Sequence, residues 1–127
     1  MGKVGGKTLA VWGLSFKPNT DDMREAPSIE IIKSLLKHKV KIRAFDPVAT
    51  PNARKNLPEI IYCDSPHEAV RDADALIVLT EWNEFKQIDL ADIKKHMKGN
   101  YLFDGRNIYD PTKIKELGFI YKGVGRQ

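Results

Sequence analysis

Residues 8–28 read "TLAVWGLSFKPNTDDMREAPS". The first five are apolar and suit a buried strand. Gly13 then allows a sharp turn, and a polar loop follows. At Pro27 a new pattern begins: Ile29, Ile32, Leu35 and Leu36 recur at helical spacing, and proline suits a first helical turn. A strand, a glycine turn, a loop and a helix near the N-terminus form the opening unit of an α/β fold.

The rest of the chain repeats that alternation. Strands are predicted at residues 7–13, 40–45, 60–62, 75–79, 101–103 and 119–121, and helices at 27–38, 65–71, 89–97 and 111–117. A short helix or turn is expected at 51–56. Ser65 is placed to cap its helix, with Pro66 at the first position and Glu68 in the first turn. Gly118 suits the end of the last helix. "ALIVL" at 75–79 is the most apolar strand, so it is expected at the centre and covered on both faces. Short connections between alternating elements predict a Rossmann-like, doubly wound, mostly parallel sheet of about six strands, with helices on both faces. Right-handed crossovers fix most of the topology.

A chain of 127 residues suits one domain. Residues 1–6 are glycine-rich and read as a flexible lead-in, or a linker cut from something larger; residues 7–127 read as the domain. No apolar run approaches the about 18–20 residues of a membrane span. The N-terminus lacks a signal-peptide layout, so a cytoplasmic address is the expectation. One cysteine, Cys63, excludes an internal disulfide and a cysteine-based zinc site. His38, His67 and His96 lie far apart in sequence and share no metal-ligand spacing. The net charge of +4 comes from lysines and arginines scattered among acids, without the basic–aromatic stripe of a nucleic-acid binder. A small anionic ligand fits the excess.

In a doubly wound sheet the ligand lies beyond the carboxyl ends of the strands. The residues leaving those ends are the Gly13–Arg24 loop, Asp46, the run Thr80, Glu81 and Trp82, and the run Asp104 to Asn107. Each has two readings. Asp46 before Pro47 is a turn pair, or the ribose-binding acid of a dinucleotide fold, although it lies farther from Gly13 than the usual about 20 residues. Trp82 is a lid over the core or a stacking platform. Arg106 pairs with an acid such as Asp104 or meets an anion. Lys17 and Arg24 offer donors to phosphate, or are neutralised by Asp21, Asp22 and Glu25. Cys63 has no neighbouring cue for activation as a nucleophile. No G-x-G-x-x-G, Walker loop or G-x-S-x-G occurs.

Four motifs taken together, "GLSFKPNTDDMREAPS", "AFDPVA", "ADALIVLTEWNEFKQID" and "FDGRNIYDP", resemble the C-terminal domain of the UDP-glucose/GDP-mannose dehydrogenase family, most closely its UDP-glucose 6-dehydrogenase branch. The resemblance runs from about residue 7 to residue 126. It implies that the domain closes over the nucleotide of a UDP-sugar, which the full enzyme oxidises at C6 in two hydride transfers to NAD through a cysteine thioester. It implies that Phe16, Lys17 and Arg106 face the UDP-sugar, that Trp82 is a wall of the cleft, and that Arg24 lies toward NAD held by another domain. The family's NAD domain, central helix and catalytic cysteine have no counterpart here, and Cys63 matches no catalytic motif. The chain is therefore expected to lack dehydrogenase activity alone and to be a monomer. A stand-alone nucleotide or dinucleotide module is the alternative, as is a UDP-N-acetylhexosamine or GDP-mannose relative.

Overall fold

The computed structural model describes residues 7–14, 27–38, 40–47, 57, 60–80, 82–105 and 108–123. Six strands form a single sheet. They are β1 (Thr8–Trp12), β2 (Lys41–Phe45), β3 (Ile61–Tyr62), β4 (Ala75–Val78), β5 (Tyr101–Asp104) and β6 (Ile120–Gly123). The order across the sheet is β3-β2-β1-β4-β5-β6, and every neighbouring pair is parallel. Strand order therefore reverses between β1 and β4, which is where such folds place a ligand.

Period-two alternation sorts the strand side chains onto two faces. From β1, Ala10 and Trp12 join one buried cluster, while Leu9 and Val11 join the other. The same split places Leu76 and Val78 of β4 on the first face and Ala75 on the second. Helix α1 (Pro27–Leu36) covers the second face through Ile32, which is fully buried. Helices α2 (Pro66–Val70), α3 (Asn83–Gln87), α4 (Leu90–His96) and α5 (Pro111–Glu116) follow. They bury Ala69, Val70, Phe85, Ile93 and Ile114 against the first face. This division follows from handedness: right-handed crossovers from β1 to β2 and from β4 to β6 run in opposite directions, so their helices fall on opposite sides.

The helix ends follow their sequence signals. Ser65 Oγ accepts from the Glu68 amide at 3.0 Å, with Pro66 behind it. Asp89 caps α4 by accepting from the Ala91 amide at 3.0 Å. Asp110 caps α5 through Thr112. Helix α3 was not expected, because five residues with Phe85 as the buried apolar anchor give no periodic stripe. The expected element at 51–56 lies outside the described residues, as does the lead-in 1–6.

One half of the second face stays open among the described residues. Ile77 and Leu79 beyond β1, with Phe103 on β5, are only partly buried there. Together with Leu9, Ile31 and Leu35 they line an apolar groove of about 490 Å³ that ends at Gly105 and Gly123.

Candidate functional site

The ladder brings four strand ends to one level. Trp12 is abreast of Phe45 on one side and of Val78 on the other, and Val78 is abreast of Asp104. The chain therefore leaves the sheet at Gly13, Asp46, Leu79 and Gly105 in a single row. With strands about 4.8 Å apart, the exits of β1 and β5 lie on the order of 10 Å from each other, a span that one nucleotide bridges.

Main-chain bonds stitch the row together. The Gly13 amide donates to Phe45 O at 2.8 Å, Leu79 to Trp12 O at 2.9 Å, and Gly105 to Val78 O at 2.8 Å. Gly13 is required here twice over. Its φ is +92°, and a Cβ at this position would stand 2.5 Å from Thr80 Cβ and 2.7 Å from Thr80 N. Close approach of the β1 and β4 exits thus depends on the missing side chain.

Asp46 is 4% exposed. Its Oδ2 accepts from the Leu14 amide at 2.8 Å and from Trp82 Nε1–H at 3.3 Å. Both bonds tie the acid to the exits of β1 and β4. Trp82 is buried, sits just ahead of α3, and packs in the cluster that contains Trp12, Phe45 and Phe85. The lid reading describes its position in the fold, while its indole N–H reaches the row of strand exits through Asp46.

Asp104 is 1% exposed. Its Oδ2 accepts from the Tyr109 amide at 3.0 Å and from Tyr121 Oη–H at 2.9 Å. The Tyr109 hydroxyl donates in turn to Phe85 O at 2.8 Å, and burial, then the Asp104 carboxylate, push that phenol well above its ordinary value. This network ties the residues on either side of 106–107 together, at Asp104 and Tyr109. Neither Asp104 nor Asp46 was given a partner set of this kind by sequence reasoning.

Phe16, Lys17, Arg24 and Arg106 lie outside the described residues. What is described is where their segments begin and end. The loop 15–26 leaves from Leu14 and enters α1 at Pro27, and Arg106 follows Gly105 at the end of β5. The first and the last of the expected ligand-facing segments thus flank the β1/β4 reversal, with Trp82 between them.

The remaining chemical groups lie elsewhere. Cys63 is buried, and burial pushes its thiol up, against the opposing pull of the Arg43 charge. That is the reverse of nucleophile activation. His67 and His96, far apart in sequence, stand on α2 and α4 with ring centroids 6.2 Å apart, and flank Asp92 at 3.4 and 3.7 Å. No group suited to holding a metal is found among the described residues. No helix among them is long and apolar enough to cross a membrane.

Comparison with known proteins agrees with this geometry. Residues 10–111 match the UDP binding domain of the UDP-glucose/GDP-mannose dehydrogenase family. The chain is 49% identical to a UDP-glucose 6-dehydrogenase of Pseudomonas aeruginosa, over 98% of this chain and 29% of that protein. Among solved structures, an NDP-N-acetyl-D-galactosaminuronic acid dehydrogenase from Methanosarcina mazei superposes with a TM-score of 0.86 at 32% identity, covering 98% of this chain and 26% of that one. A UDP-glucose dehydrogenase from Pyrobaculum islandicum gives 0.82 at 30% identity, covering 99% and 27%. The chain therefore spans less than a third of the length of these relatives. It belongs to the UDP-glucose/GDP-mannose dehydrogenase family and corresponds to that family's UDP binding domain.

Proposed function

We propose that this chain, as residues 7–127 behind a lead-in of 1–6, is the nucleotide-sugar-binding part of an NAD-dependent UDP-glucose 6-dehydrogenase. The observation that carries the reading is the level row of strand ends at the β1/β4 reversal, from which both the 15–26 loop and the Arg106 turn depart. In this reading Phe16 and Lys17 face the UDP-sugar, Arg106 meets its anionic part, and Trp82 walls the cleft. Arg24 lies toward NAD, which is held mainly by an N-terminal domain outside this chain. A central segment, also outside it, completes the substrate site and the parent's dimer or higher assembly, while this domain alone is a monomer. The parent works in the cytoplasm, oxidising UDP-glucose to UDP-glucuronate.

Half a site binds weakly. Charge-assisted hydrogen bonds contribute roughly 1.5–3 kcal/mol each. Two of them, less the cost of association, leave a dissociation constant on the order of millimolar to high micromolar. The test is an NMR titration of the labelled chain with UDP, GDP and NAD. Saturable amide shifts at residues 16, 17 and 106 with UDP are expected, and the same chain should reduce no NAD with UDP-glucose. Shifts confined to NAD would replace this reading with a dinucleotide module, and no shifts at high millimolar ligand would remove the site from this chain.

A further inference from the structure

Lysines that are scattered in sequence come together at one end of the fold. In a parallel sheet each crossover helix runs back against the strands. Helix C-termini and strand starts therefore share one edge, opposite the row of strand exits. Helix α4 brings Lys94 and Lys95 to that edge in its last turn, and α5 brings Lys115. Lys7 precedes β1 and Lys41 begins β2; the Lys41 amide donates to Lys7 O at 2.9 Å, so the two stand side by side. Lys98 precedes β5, and its amide donates to Ala73 O, just ahead of β4, at 2.9 Å.

A cation at a helix C-terminus complements the helix dipole, which accounts for Lys94, Lys95 and Lys115. Lys7 and Lys41 end no helix, and like charges on neighbouring strands repel. Among the described residues the ion contacts are those of Asp92 with two histidines, and no described carboxylate lies within ion-pair distance of these lysines. The acids of the same edge are Asp72, Asp74 and Glu116, and Asp74 turns its Oδ2 to the Thr8 amide at 2.8 Å. The edge is positive on balance. It also exposes two large apolar side chains, Leu117 at 39% and Ile120 at 42%. They flank Gly118, where a Cβ would stand 2.9 Å from Lys94 Cε.

The kind of partner follows from the residue types. A nucleic-acid surface would carry arginine forks or stacking aromatics. This edge carries lysines, point charges spread over several elements, with aliphatic side chains exposed among them. That combination suits anionic headgroups above acyl chains. We propose that the strand-start edge is a docking surface for an anionic lipid bilayer: the lysines meet the headgroups, Leu117 and Ile120 enter between them, and the row of strand exits faces away, open to solution. The surface takes nothing from the nucleotide site, so failure of either leaves the other standing.

The experiment is co-sedimentation of the chain with vesicles of phosphatidylcholine, alone or in equal parts with phosphatidylglycerol, at low and high salt. Binding to the mixed vesicles only, lost as salt rises, is expected. Lys7, Lys41, Lys95 and Lys98 are exposed, so their replacement leaves the core intact. Each of Lys7→Gln, Lys41→Gln, Lys95→Gln and Lys98→Gln should lower the partition coefficient about fivefold. Lys86→Gln, on α3 at the other end, should leave it unchanged, and Leu117→Ser should lower it without altering its salt slope. On the vesicles, amide exchange should slow at 95–99 and 116–120 and stay unchanged at the strand exits.

No binding to either vesicle would overturn the proposal, as would an equal loss in Lys86→Gln or slowed exchange centred on the strand exits. Binding to duplex DNA or to polyglutamate as tight as to the mixed vesicles would overturn it too, replacing the bilayer with a nucleic acid or an acidic protein.

Discussion

Gly13 has the most constrained backbone of the described strand exits. An alanine there would meet Thr80 backbone and side chain at under 3 Å while holding φ at +92°. Left-handed backbone on a non-glycine residue costs about 1–3 kcal/mol, and overpacking adds a comparable amount. Gly13→Ala should therefore lower unfolding free energy by about 3 kcal/mol, read from the urea midpoint at unchanged slope. Tyr109 gives a prediction of another kind. Its folded-state phenol is raised above the ordinary 10.0 by burial and then by Asp104. The unfolded chain releases that proton near pH 10 while the native state keeps it, so the unfolded state binds fewer protons and stability falls as pH rises. The contribution is complete below pH 10 and declines above it. Absorbance at 295 nm should show the Tyr109 phenol ionising only as the chain unfolds, and Tyr109→Phe should remove that step. At this scale the sequence was partly readable. Gly13, Asp46, Trp82 and Asp104 could each be placed at a strand exit, because exits follow from strand periodicity. Their partners could not be named, since Leu14 and Trp82 meet Asp46 only after three crossovers have closed.

Among the elements, α4 rests on its cap. Asp89 accepts from Ala91 and Asp92 amides at 3.0 and 3.4 Å, on the exposed side of the helix layer. Asp89→Ala should cost about 1 kcal/mol, measured by thermal unfolding, with the sheet's signals unaltered. The two contacts that Asp92 of this helix makes, with His96 on α4 and with His67 on α2, each partner about half exposed, should matter less: Asp92→Asn is expected to stay within about 1 kcal/mol of the parent chain. Helices α1, α2, α4 and α5 could be read because proline, a capping side chain or an apolar stripe marked each one. Strand ends shifted by a residue or two, as in β6, where pairing with β5 extends to Gly123. Helix α3 was hidden because its anchor, Phe85, owes its burial to Trp12 and Phe45, stacked and edge-on at 5.3 and 6.2 Å. Those are tertiary contacts, which a five-residue window does not contain.

For the whole molecule, the two sides of the sheet are unequal. Among the described residues, helices α2 to α5 close the first face, whereas α1 covers part of the second and leaves Ile77 and Phe103 half-buried beside an apolar groove. Local opening follows buried contact. Amides of α1 should therefore exchange with deuterium faster than those of β1 and β4, with Ile93 and Ile114 helices intermediate. The order of strands was readable in outline, as a doubly wound sheet, since alternation of elements and crossover handedness leave few alternatives. The strand "ALIVL" was expected to be covered on both faces, whereas among the described residues Ile77 and Leu79 are only partly buried beside the groove: its composition is the same whether one face or two are covered.

The inequality has a consequence in terms of mass action. The row of strand exits lies where the firm face and the thinly covered one meet, and the loop that leaves it continues directly into α1. A molecule bound to that row is bound to the folded form of the weaker side. At a hundred times its dissociation constant it would add about 2.7 kcal/mol to stability. That gain should appear first as slower exchange in α1 and as a higher midpoint of melting, so occupancy of the site can be followed as heat resistance before any chemistry is observed.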